Sequence, residues 1–306
     1  MVNYPALTKS PEFFQEMVEG LIGGLDINLT VFDKKWILEN NMGGVVGVAQ
    51  GSDRSPKFLV GEYNPNAKKQ VALIGKGVLF DSGGLSLKSP SGMETMKSDM
   101  AGAATAWGII ALAAKQEIDI GLKVYTPIVE NMPSGSAIRP GDVLKMRNGK
   151  TIEVMNTDAE GRLIMADALA YASESSPDII CDVATLTGAA YVALGVEIGA
   201  VFSNNNRTLD NFLNSNSECF ENYHSLPLEQ SYKSLIKSNI ADMKNTGGRF
   251  GGAITAALLL EEFVNDIDWV HLDIAGPGRS RSNNAIYSEG GTGFGVVGFY
   301  NFLDDQ

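Results

Sequence analysis

Two polar runs and one acidic residue in an otherwise apolar stretch gather most of the side chains in this chain that can do chemistry. The first run is Gly75-Lys76-Gly77-Val78-Leu79-Phe80-Asp81-Ser82-Gly83-Gly84-Leu85-Ser86-Leu87-Lys88. The second is Asn156-Thr157-Asp158-Ala159-Glu160-Gly161-Arg162-Leu163, and the lone acid is Asp99 in Met96-Lys97-Ser98-Asp99-Met100. Asp158 and Glu160 stand two apart, so on extended backbone both point to one side. Asp81 follows the apolar Val78-Leu79-Phe80 in a glycine-rich context. Each acid alone has an ordinary structural use: Asp81 as a turn former, Asp99 as a helix charge, Asp158 and Glu160 as caps. Taken together they are carboxylates set against apolar elements, and a buried anion must be paired or bound to a metal. Four carboxylates balance two divalent cations, and oxygen-rich paired sites hydrolyse bonds with a metal-activated water.

Other chemistries fit these residues poorly. A P-loop places four residues between its first glycine and Gly-Lys, then Ser or Thr after the lysine. Here Gln70 occupies the upstream position and Gly77 follows Lys76. A dinucleotide fingerprint begun at Gly75 and Gly77 needs glycine where Phe80 stands. Serine hydrolysis needs a base and a Gly-x-Ser-x-Gly elbow, and no elbow is present. The chain has 2 histidines, too few for a histidine-rich zinc site. His271 sits in the apolar Trp269-Val-His-Leu-Asp-Ile and reads as a core residue rather than a catalytic one.

The elements that must position these groups alternate between strand and helix. Ser10-Pro11 opens a helix that Gly23-Gly24 stops. Strands are predicted at 28–32, 57–63, 70–74, 122–129, 179–184, 198–202 and 269–274. Helices are predicted at 34–40, 96–115, 163–173, 186–194, 204–217, 252–265 and 294–304. The segment 75–84 is predicted as a loop, and 143–146 with 151–155 as a hairpin about Asn148-Gly149. Strands spaced by helices of this length imply an α/β fold: a mixed, mostly parallel central sheet with helices on both faces. The hairpin is the reason for expecting a mixed rather than a purely parallel sheet. In such sheets the site lies at the carboxyl ends of the strands.

Composition narrows the setting. With 44% hydrophobic residues over 306 positions, the chain can bury a large core. Its net charge of -12 and the lack of any Lys/Arg run argue against nucleic acid or anionic lipid as a partner. Only 2 cysteines, Cys181 and Cys219, exclude a disulfide framework or a cysteine-based zinc site. No stretch reaches the roughly 18 apolar residues of a membrane helix. No targeting segment is evident at the N-terminus, so a cytoplasmic location is expected.

The two polar runs resemble the two signatures of the leucyl aminopeptidase family, peptidase family M17. The resemblance continues through Glu130-Asn-Met-Pro-Ser-Gly, Arg139-Pro-Gly-Asp-Val, Asp182-Val-Ala-Thr-Leu-Thr-Gly-Ala, Ala241-Asp-Met-Lys-Asn-Thr-Gly-Gly-Arg and Gly291-Thr-Gly-Phe-Gly. It covers the chain from about Asn41 onward, and the second octapeptide is specific by itself. It implies two adjacent divalent metals, zinc with manganese or magnesium as substitutes. Asp81 and Glu160 resemble the bridging carboxylates, Asp158 a ligand of one metal, and Lys76 and Asp99 ligands of the other. Lysine ligates only as the neutral amine, and two neighbouring dications would depress its pKa enough for that. Lys88 resembles the catalytic lysine that stabilises the oxyanion. Arg162 resembles the residue holding a bicarbonate ion that serves as general base. Met96, Asn156, Thr185, Leu186 and Gly188 resemble the lining of the pocket for the first side chain, with a preference for Leu- or Met-like residues.

The implied reaction is release of N-terminal residues from peptides through a dinuclear metal-bound hydroxide. The implied assembly is a homohexamer. Family members carry an N-terminal α/β domain of about 150 residues, within the usual domain range. Here residues 1–40 resemble the connecting region and 1–306 a single catalytic domain, so that domain is expected to be absent. Two other readings stand beside this one. A catalytically inactive peptide-binding or scaffold homologue should lack one of the five ligands, and all five are present. A different dinuclear hydrolase such as a phosphatase would draw on histidines, which are scarce.

Overall fold

The computed structural model describes residues 1–306. A nine-stranded sheet runs through its centre. In spatial order the strands are Asn28–Phe32, Lys57–Tyr63, Gly121–Asn131, Gln70–Gly75, Ile179–Ala184, Asp268–Asp273, Ile198–Ser203 and Asn222–Ser225. The ninth, Gly77–Asp81, pairs in parallel with the far half of Gly121–Asn131. The middle of the sheet is parallel, from Gly121–Asn131 through Gln70–Gly75 and Ile179–Ala184 to Asp268–Asp273. Antiparallel pairs lie outside it, where Lys57–Tyr63 joins Asn28–Phe32 and Gly121–Asn131, and where Ile198–Ser203 joins Asp268–Asp273. The fold is therefore the mixed α/β architecture that the alternation of elements implied.

The strands read as continuous apolar runs because both faces are covered. In Gln70–Gly75, Ala72 and Ile74 face one core while Val71 and Leu73 face the other. The first core is closed by helices Gly43–Ala49, Gly161–Ser173 and Gly252–Glu261. The second is closed by Pro11–Ile22, Ala101–Gln116 and Val296–Asp304. Helix Ala101–Gln116 lies close on the sheet through its small residues: a Cβ on Gly102 would stand 2.2 Å from the Val183 carbonyl oxygen.

Several sequence-based expectations need correction. The segment 75–84 is not all loop, because Val78 and Leu79 are fully buried and Gly77–Asp81 forms ladder bonds with Ile128–Asn131. The segment 96–115 is not one helix. A 3-10 turn, Met96–Ser98, precedes a break at Asp99 and Met100, and the α-helix begins at Ala101. The hairpin exists, with Gly149 in the left-handed region at φ 89°, but it pairs with Met243–Lys244 in a separate three-stranded sheet. The main sheet owes its mixed character to other strands. Helix Gly43–Ala49 escaped prediction because its glycines weaken the helical signal. Its first N–H groups are met by a distant side chain, since Asp167 Oδ2 accepts from Gly44 N at 2.7 Å and Val45 N at 3.0 Å.

Candidate metal centre

The sheet delivers its polar groups at the carboxyl ends of its strands, where open α/β sheets build their sites. Lys76 follows Gln70–Gly75, Asp81 ends Gly77–Asp81, Asn131 ends Gly121–Asn131, Thr185 follows Ile179–Ala184, and Asp273 ends Asp268–Asp273. At Lys76 the chain steps between two strands. Its N–H donates to Val183 O at 3.1 Å, and its carbonyl accepts from Ala103 N at 2.8 Å. Both backbone groups are therefore spent, and the side chain is turned into the cluster.

Lys76 Nζ lies 2.9 Å from Asp99 Oδ1, 2.9 Å from Glu160 Oε1 and 2.8 Å from Thr185 O. Lys88 Nζ lies 2.8 Å from Asp81 Oδ2 and 2.5 Å from Asp158 Oδ1. Oxygens of Asp81, Asp158 and Glu160 all fall within 4.8 Å of one another. Asp99 Oδ2 and Glu160 Oε2 are buried with no hydrogen-bond partner. Four carboxylates against two ammoniums leave the cluster net negative.

The electrostatics carry the mark of that imbalance. Burial is the largest influence on Asp81, Asp99 and Asp158 and raises all three carboxyls, with neighbouring carboxylates adding to the rise and lysines opposing it. Burial also works against the Lys76 and Lys88 ammoniums, but the carboxylates around them outweigh it and hold both above the ordinary lysine range. Bare oxygens at this spacing suit small hard or borderline dications. The donor set and its two unpartnered oxygens therefore fit divalent metal.

The cluster opens into a cavity of about 450 Å³ whose lining includes Lys76, Asp81, Lys88, Asp99, Asp158 and Glu160. The family model for the cytosol aminopeptidase family, catalytic domain, matches residues 1–300. The chain belongs to that family. A probable cytosol aminopeptidase of Syntrophotalea carbinolica is 47% identical over 308 residues, covering 100% of this chain and 62% of that protein. One from Chlorobaculum parvum is 48% identical over 302 residues, 97% of this chain and 59% of its own length. The chain thus spans about three fifths of these relatives. Among solved structures, the cytosol aminopeptidase of Coxiella burnetii superposes with a TM-score of 0.95 at 36% identity, over 100% of this chain and 66% of that one. The bottromycin maturation enzyme BotP in complex with Mn gives a TM-score of 0.95 at 36% identity, over 99% and 68%.

In this cytosol aminopeptidase family domain, the five expected ligands and Lys88 converge on one cavity, as do Met96, Thr185, Leu186 and Gly188. Two expected residues do not line it. Asn156 Oδ1 accepts from Asp158 N at 2.9 Å, so its side chain shapes the loop. Arg162 lies buried in the first turn of helix Gly161–Ser173, with Nη1 donating to Asn245 O at 2.7 Å. Burial pulls its guanidinium down to about 10, against the attraction of Glu160 and Asp273. Neither histidine reaches the cavity, and His271 is a core residue with Nδ1 2.5 Å from Asp182 Oδ1.

Three residues without a role in the sequence reading hold the loops in place. Asn131 Nδ2 donates to Asp81 Oδ1 at 2.8 Å and to Thr157 O at 3.0 Å, which ties the two polar runs together. Asn245 brackets the second run, accepting from Met155 N and donating to Asn156 O. Asp273 accepts from Leu186 N, Ala275 N and Thr187 Oγ1, which fixes the turn bearing Thr185. An asparagine closing a long apolar strand was a signal for Asn131. Asn245 sits in Ala241-Asp-Met-Lys-Asn-Thr-Gly-Gly-Arg, a run that carries the family resemblance, but its composition alone gave it no role.

Proposed function

We propose that this domain is a metal-dependent aminopeptidase that removes N-terminal residues from peptides. The observation that carries the reading is the pair of buried, unpartnered oxygens, Asp99 Oδ2 and Glu160 Oε2, beside the Asp81, Asp158 and Glu160 group in an open cavity. Two divalent cations, zinc or its substitutes manganese and magnesium, would be held by Lys76, Asp81, Asp99, Asp158 and Glu160. They would supply Lewis-acid polarisation of the scissile carbonyl and an activated water. Lys76 would serve as the neutral amine, its proton displaced by the dications.

The remaining residues take parts that follow from their chemistry. Lys88, held against burial above the ordinary lysine range by Asp81 and Asp158, would keep its charge and stabilise the oxyanion as it develops. Arg162 makes one protein hydrogen bond through Nη1 and does not line the cavity, so a bicarbonate held by its other donors as general base would require the guanidinium to turn toward the cluster. The free α-amine of the peptide would bind at one of the two metals, which would restrict attack to the first peptide bond. Met96 and Leu186, with Thr185 and Gly188, give the first side chain an apolar surround suited to Leu or Met. Residues 1–306 would form one catalytic domain of a cytoplasmic homohexamer. No helix is long and apolar enough to cross a membrane.

The test is hydrolysis of a leucyl amide beside a phosphate ester, before and after chelation. Cleavage of the amide alone, abolished by chelator and restored by Mn²⁺ or Zn²⁺, is the expected result. A protein that binds metal and cleaves neither would point to the scaffold reading.

A further inference from the structure

The cavity that holds the carboxylate cluster does not end there. A second cavity of about 430 Å³ shares Val196, Arg279 and Arg281 with it, so the two meet along that edge. The walls of the second are largely apolar, with Pro277, Ile286, Tyr287 and Phe294 among them. Its charged lining is Glu197 and the two arginines.

Neither guanidinium has a carboxylate within salt-bridge distance, although the chain carries 36 acidic residues against 24 basic ones. The two residues are anchored differently, Arg279 by its backbone and Arg281 by its side chain. Arg279 lies in a two-strand ladder opposite Gly291, and the ladder's return is tied by Thr292 Oγ1 donating to Pro277 O at 2.7 Å. Arg281 donates to Tyr191 Oη and stacks over that ring at 5.6 Å. Tyr191 belongs to helix Gly188–Leu194, directly after the turn that carries Thr185. The edge between the cavities is thus connected through Tyr191 to the turn at the metal centre, with Arg281 itself exposed.

We propose that Arg279 and Arg281 bind a carboxylate on the leaving side of the scissile bond, so that short peptides with a free C-terminus are preferred substrates. The inference rests on the aminopeptidase reading. With the α-amine at the cluster, the residues after the scissile bond need room contiguous with it, and the second cavity provides that room. Each residue advances the chain by about 3.5 Å, so a free carboxylate one or two residues on stays close to the scissile bond. The apolar walls receive the leaving residue's side chain. Two guanidiniums present paired donors matched to a carboxylate, and such charge-assisted bonds are stronger than neutral ones.

The experiment compares kcat/KM for Leu-Phe with Leu-Phe amide, and for Leu-Asp amide with Leu-Asn amide. The metal-loaded enzyme is assayed as wild type, Arg279→Gln, Arg281→Gln and the double variant. Each comparison is a ratio within one enzyme, so the amount of folded protein cancels. The wild type should favour the substrate with the extra carboxylate by about tenfold, the size of one charge-assisted hydrogen bond in part solvent. The ratio should fall toward one in the double variant. A preference in the first pair assigns the carboxylate to the C-terminus and supports the proposal; a preference in the second pair alone would overturn it. Equal rates within both pairs for the wild type, or a preference that survives in the double variant, would overturn the proposal. Failure of all four substrates would instead remove the aminopeptidase reading itself.

Discussion

Thr185 Oγ1 donates to Asp99 Oδ1 at 2.7 Å, while Asp99 Oδ2 has no partner. One carboxylate is thus oriented by the sheet on one side and left bare on the other. Removing the hydroxyl with Thr185→Val keeps the shape but frees the carboxylate to rotate. Partners of this kind are worth about 10- to 100-fold in metal affinity. Thr185→Val should raise the Mn²⁺ concentration for half-activation by about that factor, with little change in Tm. An unchanged activation curve would show that Asp99 needs no such orientation.

Lys88 sits between Asp81 and Asp158 and lines the cavity. Lys88→Ala removes a cation and none of the proposed ligands, so metal content measured by elemental analysis should stay at the wild-type level. Turnover should fall by about 10²–10³, as for other lost oxyanion stabilisers. Full turnover would refute the role given to this lysine.

Gly161 lies under the Lys76 side chain, and a Cβ there would stand 2.7 Å from Lys76 Cε and Nζ. Lys76 Nζ is confined by three oxygens, so the added methyl moves the amine off its position rather than unfolding the helix. Gly161→Ala should keep its thermal transition and lose about 10²-fold in kcat, the scale of a misplacement near 1 Å. Retained turnover would mean that the lysine has room to yield.

Asp167 links helix Gly43–Ala49 to the hairpin segment, because it also accepts from Arg147 N at 2.9 Å. Asp167→Ala orphans two buried N–H donors and one partly buried one, the buried pair at about 1–3 kcal/mol each. Its Tm should fall by at least about 5 °C.

Burial holds the same carboxyl up at about 7, against the N–H groups of Arg147, Val45 and Gly44 that favour its anion. A carboxyl raised in the folded state makes no contribution while both states are protonated, below about pH 4. From there to about 7 the unfolded chain releases a proton that the folded chain keeps, so stability falls as pH rises. Urea midpoints of the wild type, taken relative to the non-titrating Asp167→Asn, should decline between about pH 4 and 7 and level off above. A flat difference would show that the group is ionised throughout.

The identities of the chemical groups were legible in the sequence because local patterns record them. Asp158 and Glu160 stand two apart before a helix, and Asp81 closes an apolar run. The alternation of strand and helix was equally visible, since periodicity depends on neighbours along the chain. The break at Asp99 was not, because the composition around it is that of a helix; the side chain is instead engaged by Lys76 and Thr185, and the helix starts only at Ala101.

Residue types and local periodicity, then, singled out the four carboxylates and the mixed α/β architecture, and the family resemblance added Lys76 as an expected ligand. What only the tertiary structure decided is who meets whom: that Lys76 lies between Asp99 and Glu160, that Asn131 joins two loops, and that Arg279 and Arg281 stand where two cavities touch. The physical reason is distance along the chain. Thr185 and Asp99 are 86 residues apart, as are Thr187 and Asp273. Such pairs are brought together by the order of strands in the sheet, which no short stretch of sequence records.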